Sequence, residues 1–190
     1  MLPLLLAGGT GAACAGAASA QSPAQVPAHA AVCRPGDLRA LFRGFQPSGG
    51  ALIAAVVVTN TSTRPCWVTG TPRSVSLLDE SGDSVTVKIR PLAVPAAAGA
   101  LELPPGAPLP AFGAPPVRGT AWFLLTWTNW CATAIPSVQS LLVVMPAGGS
   151  LAAPPDPAVP SWAQGPAAPR CDDSRAGPTV TISRFQAPGA

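Results

Sequence analysis

ALIAAVVVTNTSTRPCWVTG, residues 51–70, is the stretch on which the fold turns. Ile53 to Val58 is a short, almost wholly apolar and β-branched run, the composition of a strand buried on both faces of a sandwich. Asn60-Thr61-Ser62-Thr63 then ends the run, because these side chains hydrogen-bond their own backbone and turn it. Cys66 follows in the connection to a second strand, beside Trp67, which is large enough to fill a small core by itself. A central strand, a polar turn, a cysteine and a Trp predict the heart of a small disulfide-bonded β domain.

The composition outside this stretch agrees. A chain of 190 residues is long enough for one domain with a real core, plus tails. It carries 25 Pro and 19 Gly against only 10% charged residues, which argues for short strands joined by long irregular connections. The net charge of +3 is small and unclustered, so there is no basic stripe for nucleic acid. No run beyond the N-terminus approaches the ~20 apolar residues of a transmembrane span.

Leu2 to Leu6 is apolar, and Ala18-Ser19-Ala20 ahead of Gln21 fits the small-x-small cleavage pattern of export signals. The reading is a secretory signal peptide over 1–20, a disordered Pro/Ala/Gln-rich leader over 21–32, and a secreted, extracellular domain. Cys14, after Gly11-Ala12-Ala13, offers the alternative of a lipid anchor on the outer face of the cytoplasmic membrane. Four further cysteines, Cys33, Cys66, Cys131 and Cys171, are an even set that reads as two disulfides with three possible pairings. A Cys₄ zinc site draws on close C-x-x-C pairs, and the sequence has none, so no metal is expected.

Further strand signals follow at turn-bounded intervals. Asp37 to Gln46 predicts a first edge strand, or a short helix and then a strand, and 52–59 is the central one. Ser74 to Leu77 alternates into another, and Asp79 to Asp83 forms a hairpin loop. Val85, Val87 and Ile89 then alternate with Ser84, Thr86, Lys88 and Arg90 as a half-exposed strand. Leu101 to Leu103 is short, and Thr120 to Thr128 places Ala121, Phe123, Leu125 and Trp127 on one face. Leu141 to Met145 is apolar enough to be central, 147–169 reads as connection, and Thr179 to Phe185 closes the sheet. About seven to eight short strands predict an all-β, immunoglobulin-like antiparallel β-sandwich over 33–186, with a tail at 187–190.

Catalytic chemistry is poorly supplied. His29 is the sole histidine and lies in the leader, so no Ser-His-Asp or Cys-His arrangement assembles in the folded part. Tyr is absent, and Lys88 stands alone on the polar face of a strand. A glycosidase needs only two carboxylates, but Asp79, Glu80 and Asp83 share one tight turn that reads as a solvated loop. The same turn misses the calcium-loop spacing. Asp172-Asp173 reads as a loop that ends strand pairing, and Asn60-Thr61-Ser62, formally a glycosylation sequon, as a turn cap. No catalytic residue and no cofactor is expected. The aromatic set is more telling, because Trp122, Trp127 and Trp130 fall close together. Trp127 belongs to the core face, Trp122 points the other way, and Trp130 ends the strand beside Cys131. Trp122 and Trp130 are therefore the candidate ligand-binding residues, able to stack on sugar rings or a partner surface. The alternative is Trp packed against a disulfide, as in immunoglobulin-like sandwiches.

Several short motifs follow one another in the chain: Cys33; Asn60-Thr61-Ser62 with Pro65-Cys66; Gly70 and Pro72; Leu77-Leu78-Asp79 with Gly82; and Leu103-Pro104-Pro105-Gly106. Trp127-Thr128-Asn129-Trp130-Cys131, Pro169-Arg170-Cys171-Asp172 and the strand Val180 to Phe185 complete the set. Over roughly residues 33–186 the chain resembles the secreted actinobacterial family known as domain of unknown function 4232. It departs from that family in an N-terminus without charge and a long Pro/Ala insert at 91–118. The resemblance implies an exported β-sandwich, lipid-anchored or behind a signal peptide, and brings no catalytic residues with it.

Among the three pairings we predict the sequence-local one, Cys33–Cys66 and Cys131–Cys171. Cys33 before the first strand and Cys66 after its antiparallel neighbour fall at the same end of the sandwich. The 147–169 connection can bring Cys171 to either end. The functional expectation is an exported, non-enzymatic cell-envelope module that binds an envelope protein. The alternatives are a carbohydrate- or cell-wall-binding module using exposed Trp and, more distantly, a glycosidase-like enzyme.

Overall fold

The computed structural model describes residues 31–92, 99–111, 117, 119–132, 134–159 and 168–187. The signal segment with Cys14, the leader through His29 and Ala30, and the tail beyond Ala187 lie outside the described residues. After one 3₁₀ turn, Pro35–Asp37, these residues form ten strands. They are β1 (Leu38–Ser48), β2 (Ala51–Asn60), β3 (Cys66–Val68), β4 (Ser74–Leu78) and β5 (Lys88–Pro91), then β6 (Leu101–Leu103), β7 (Thr120–Thr128), β8 (Ser140–Val144), β9 (Ser150–Ala153) and β10 (Thr179–Ile182). The protein is all-β, as the strand pattern predicts. A five-stranded sheet runs β1-β2-β7-β10-β5, a three-stranded sheet runs β4-β8-β9, and β3 pairs with β6. No helix among the described residues is long and apolar enough to cross a membrane.

Period-two alternation builds the core between the two larger sheets. Rows of directly opposed residues cross the large sheet: Phe42, Val56 and Phe123 in one, Leu52, Trp127 and Val180 in another. The small sheet presents the rows Val75-Val143-Leu151 and Leu77-Leu141-Ala153. Both sets join one buried cluster, so each strand's odd or even half faces inward and its register is held by that burial. Trp127 is the largest fully buried side chain and meets Phe45 edge-on at 5.4 Å between ring centroids. The central-strand expectation for 52–59 holds, with β2 running between β1 and β7.

Three differences from the sequence expectation have physical causes. The half-exposed strand at 84–90 divides: Ser84 bridges Leu78, Val85 N donates to Leu77 O, and the chain then leaves for the other sheet. Only Lys88–Pro91 continues as a strand, paired parallel to β10. The alternation was nonetheless a correct signal of burial, because Val85, Val87 and Ile89 pack against the core. The second difference is β9, which lies inside the segment read as connection. Ser-Leu-Ala-Ala has weak strand propensity, and it pairs because a tight turn folds it back on β8. Gly149 in that turn has φ +75°, and a Cβ there would meet the Pro35 ring at 2.8 Å, so glycine is required. Third, the closing strand is interrupted after Ile182, where Phe185 N donates to Gly70 O, and pairing with β7 resumes at Gln186 opposite Trp122. Ten strands thus form where about seven to eight were expected.

Candidate functional site

The two disulfides are Cys33–Cys66 and Cys131–Cys171, the predicted pairing. Each lies at a corner organised by a buried asparagine. At the first, Cys33 and Cys66 are 1% and 4% exposed. Cys33 N donates to Trp67 O at 3.0 Å and Trp67 N donates to Ala31 O at 2.9 Å, so residues 31–33 run alongside β3 as an added parallel segment. Asn60 Nδ2 donates to Arg64 O at 2.7 Å and Leu103 O at 2.9 Å, while Oδ1 accepts from Ser62 N at 2.9 Å and Ser62 Oγ at 2.7 Å. The turn-cap reading of Asn60 holds. With both amide protons engaged and the residue 1% exposed, the sequon nitrogen is inaccessible in the folded domain.

At the second corner both cysteines are exposed. Asn129 adopts φ 58°, a left-handed conformation that Asn tolerates better than most residues. Its Oδ1 accepts from Asp172 N and Asp173 N, each at 2.9 Å. Its Nδ2 donates to Asp173 O at 2.7 Å and also to Ala176 O. Four bonds from one amide thus close a loop more than forty residues along the chain. Trp130 is half-buried, stands edge-on to Trp127 at 5.3 Å, and donates from Nε1 to Ala134 O at 3.0 Å.

Trp122 occupies the opposite face of β7. It lies in a row with Val57 and Leu41, which are buried yet outside the main core cluster. Trp122 is itself half-buried, and its Nε1 finds no hydrogen-bond partner among the described residues. At about 3.3 Å per residue, the six steps from Trp122 to the end of β7 alone span roughly 20 Å. The structure therefore does not bring Trp122 and Trp130 together, and no single sugar ring can stack on both.

The remaining polar candidates have local roles. Asp79 Oδ1 accepts from Ser81 N and Asp83 N, each at 2.9 Å, and so shapes the hairpin loop. Lys88 is exposed on β5. Asp172 pairs with Arg170 at 2.5 Å on the surface, where such a pair contributes little. Among the described residues, no three potential metal ligands cluster. Sequence reasoning passed over one buried ion pair, Arg43 with Asp156, 8% and 5% exposed. Arg43 sits at the β1 bulge and also donates to Pro110 O, while Asp156 Oδ1 accepts from Ala158 N at 2.9 Å. The pair ties two proline-rich segments to the edge of the large sheet. An Arg inside Leu-Phe-Arg-Gly-Phe and the sole acid of 147–169 were the available signals.

The outer face of the small sheet completes the inventory. Its rows Ser74-Val144-Ser150 and Ser76-Leu142-Ala152 carry no charge, and Leu142 is 39% exposed at their centre. With the third row, Leu78-Ser140, this is an uncharged surface of mostly small side chains around Leu142, with Leu78 half-buried beside it.

No curated protein and no solved structure matches the chain. The family described as Domain of unknown function (DUF4232) matches residues 33–184, from the first buried cysteine to two residues past β10, and the chain belongs to that family.

Proposed function

We propose that this chain is an exported, non-enzymatic interaction module of the cell envelope, whose partner is an envelope protein presenting a flat, uncharged surface. The observation that carries this reading is the charge-free outer face of the β4-β8-β9 sheet centred on Leu142. Desolvating such a face costs little, since serine hydroxyls are its only side-chain polar groups and no ion must be stripped of water. Neither tryptophan candidate lies on it, and the two are too far apart to form one stacking platform, which favours protein over saccharide as the ligand. Export is supported by the two disulfides, which fit an oxidising compartment outside the cytoplasm. Three strands about 4.8 Å apart and four or five residues long make only about a few hundred Å² of surface, the size of a hot-spot centre or a transient contact.

The test is retention from envelope extracts on the immobilised domain, with intact cell wall as a parallel bait. The expected result is a protein partner held by the native domain and lost on Leu142→Arg, with the variant's circular dichroism unchanged. Tight retention of cell wall that survives Leu142→Arg and is lost on Trp122→Ala or Trp130→Ala would replace this reading with carbohydrate binding.

A further inference from the structure

The two disulfides differ in access, one of the properties that set the rate of thiol–disulfide exchange. Cys33 and Cys66 are 1% and 4% exposed, whereas Cys131 and Cys171 both face solvent. We propose that Cys131–Cys171 is a reversible redox site, opened and closed by a dithiol partner while the buried disulfide stays oxidised and the fold stays intact.

Two further observations support a site built for both states. A disulfide sulfur carries no proton, and Cys131 Sγ lies 3.6 Å from Asn129 Oδ1 and 3.7 Å from Asp173 O. Both oxygens already accept two N–H bonds each, Oδ1 from Asp172 N and Asp173 N, and Asp173 O from Asn129 Nδ2 and Ala176 N, so the hydrogen bonds of the corner are complete without the sulfur and none is lost when the bridge opens. The loop that carries Cys171 also has anchors that do not pass through sulfur. Asn129 holds Asp172, Asp173 and Ala176 by side-chain hydrogen bonds, and Arg170 N donates to Gly50 O at 2.8 Å. Breaking the bridge leaves both flanks of Cys171 tethered. Asn129 is here a positioning residue that holds the corner in either state.

The exchange runs through Cys171, because the two oxygens beside the Cys131 sulfur repel an incoming thiolate. A thiolate of the dithiol attacks the Cys171 sulfur, and the S–S electron pair leaves on Cys131, which takes a proton from water. The partner's second thiol then loses its proton and displaces Cys171 from the mixed disulfide as a thiol. The domain gains two electrons and two protons, and the dithiol becomes a disulfide.

Stepwise reduction of the oxidised protein with dithiothreitol, followed by alkylation and peptide mass mapping, tests the proposal. Cys131 and Cys171 should become labelled at a dithiothreitol concentration at least tenfold below that needed for Cys33 and Cys66. Near-ultraviolet circular dichroism should stay unchanged at that stage, and reoxidation should restore the same pair. Simultaneous opening of both bridges, earlier opening of Cys33–Cys66, or loss of tertiary signal with the first reduction would overturn it.

Discussion

The two disulfide corners are near equals in sequence and opposites in setting. Cys33–Cys66 spans 33 residues and is buried, while Cys131–Cys171 spans 40 residues and is exposed. Chain entropy alone values them almost identically, at about 3.7 and 3.9 kcal/mol, with the exposed one slightly ahead. Any larger difference must arise in the folded state. The buried bridge belongs to the core cluster and leaves a cavity when its sulfurs are removed, whereas at the exposed one water fills the space and hydrogen bonds still hold the loop. The asparagines divide the labour in a matching way. Asn60 bonds mainly to its own turn, at Ser62 and Arg64, beside a bridge that already holds the long-range contact. Asn129 reaches across to Asp172, Asp173 and Ala176 itself. Where the sulfur link is buried, the amide shapes a turn; where it is exposed, the amide shares the closure.

The largest effect should come from the bridges. Cys33→Ala with Cys66→Ala should cost about 5 kcal/mol, the chain-entropy term plus the cavity left by two buried sulfurs, and lower Tm by about 10–20 °C. Cys131→Ala with Cys171→Ala should cost about 4 kcal/mol, the chain-entropy term without a cavity. Thermal unfolding of the two double variants decides this, and a larger loss at the exposed corner would break the comparison.

Next in size are the asparagines. Asn129→Ala strands four backbone groups and places alanine at positive φ, for a loss of about 3 kcal/mol. Asn60→Ala forfeits a similar set of bonds without the backbone strain and should cost about 2 kcal/mol. Urea titration of both variants would sharpen the contrast. A costlier Asn60→Ala would mean that the local turn, not the long-range closure, is the greater contributor.

The smallest effect is at Trp130. Trp130→Phe keeps an aromatic ring against Trp127 and removes the N–H donated to Ala134 O, so it should cost about 0.5–1 kcal/mol. The same variant should bring forward reduction of Cys131–Cys171 only slightly, because Trp130 is a neighbour of that bridge and no part of it. Loss of several kcal/mol in its denaturation curve would show that Trp130 carries the corner instead of flanking it.

What could be read along the chain was what neighbouring residues determine. The β-branched run in β2, the alternation of Phe123, Leu125 and Trp127 in β7, and the self-bonding turn at Asn60 each depend on a few adjacent side chains. The all-β class and the sequence-local disulfide pairing followed from these. Tertiary structure alone decided where signals that look alike would end up. The alternating segment 84–90 split, because its second half found β10 as a parallel partner about ninety residues away. Ser150 to Ala153 became a strand because β8 lay beside it, and Arg43 could be buried only because Asp156 and the Pro110 carbonyl arrive there. Trp122 and Trp130, eight residues apart and equally prominent as letters, were separated, the first onto the outer face of β7 and the second past its end against the core Trp127. Four cysteines of equal standing in the sequence became one buried and one exposed bridge. Period-two patterning and turn chemistry act over a handful of residues, so they are written locally. Burial, pairing partner and solvent access are sums over segments distant in the chain, and exist only once those segments have met.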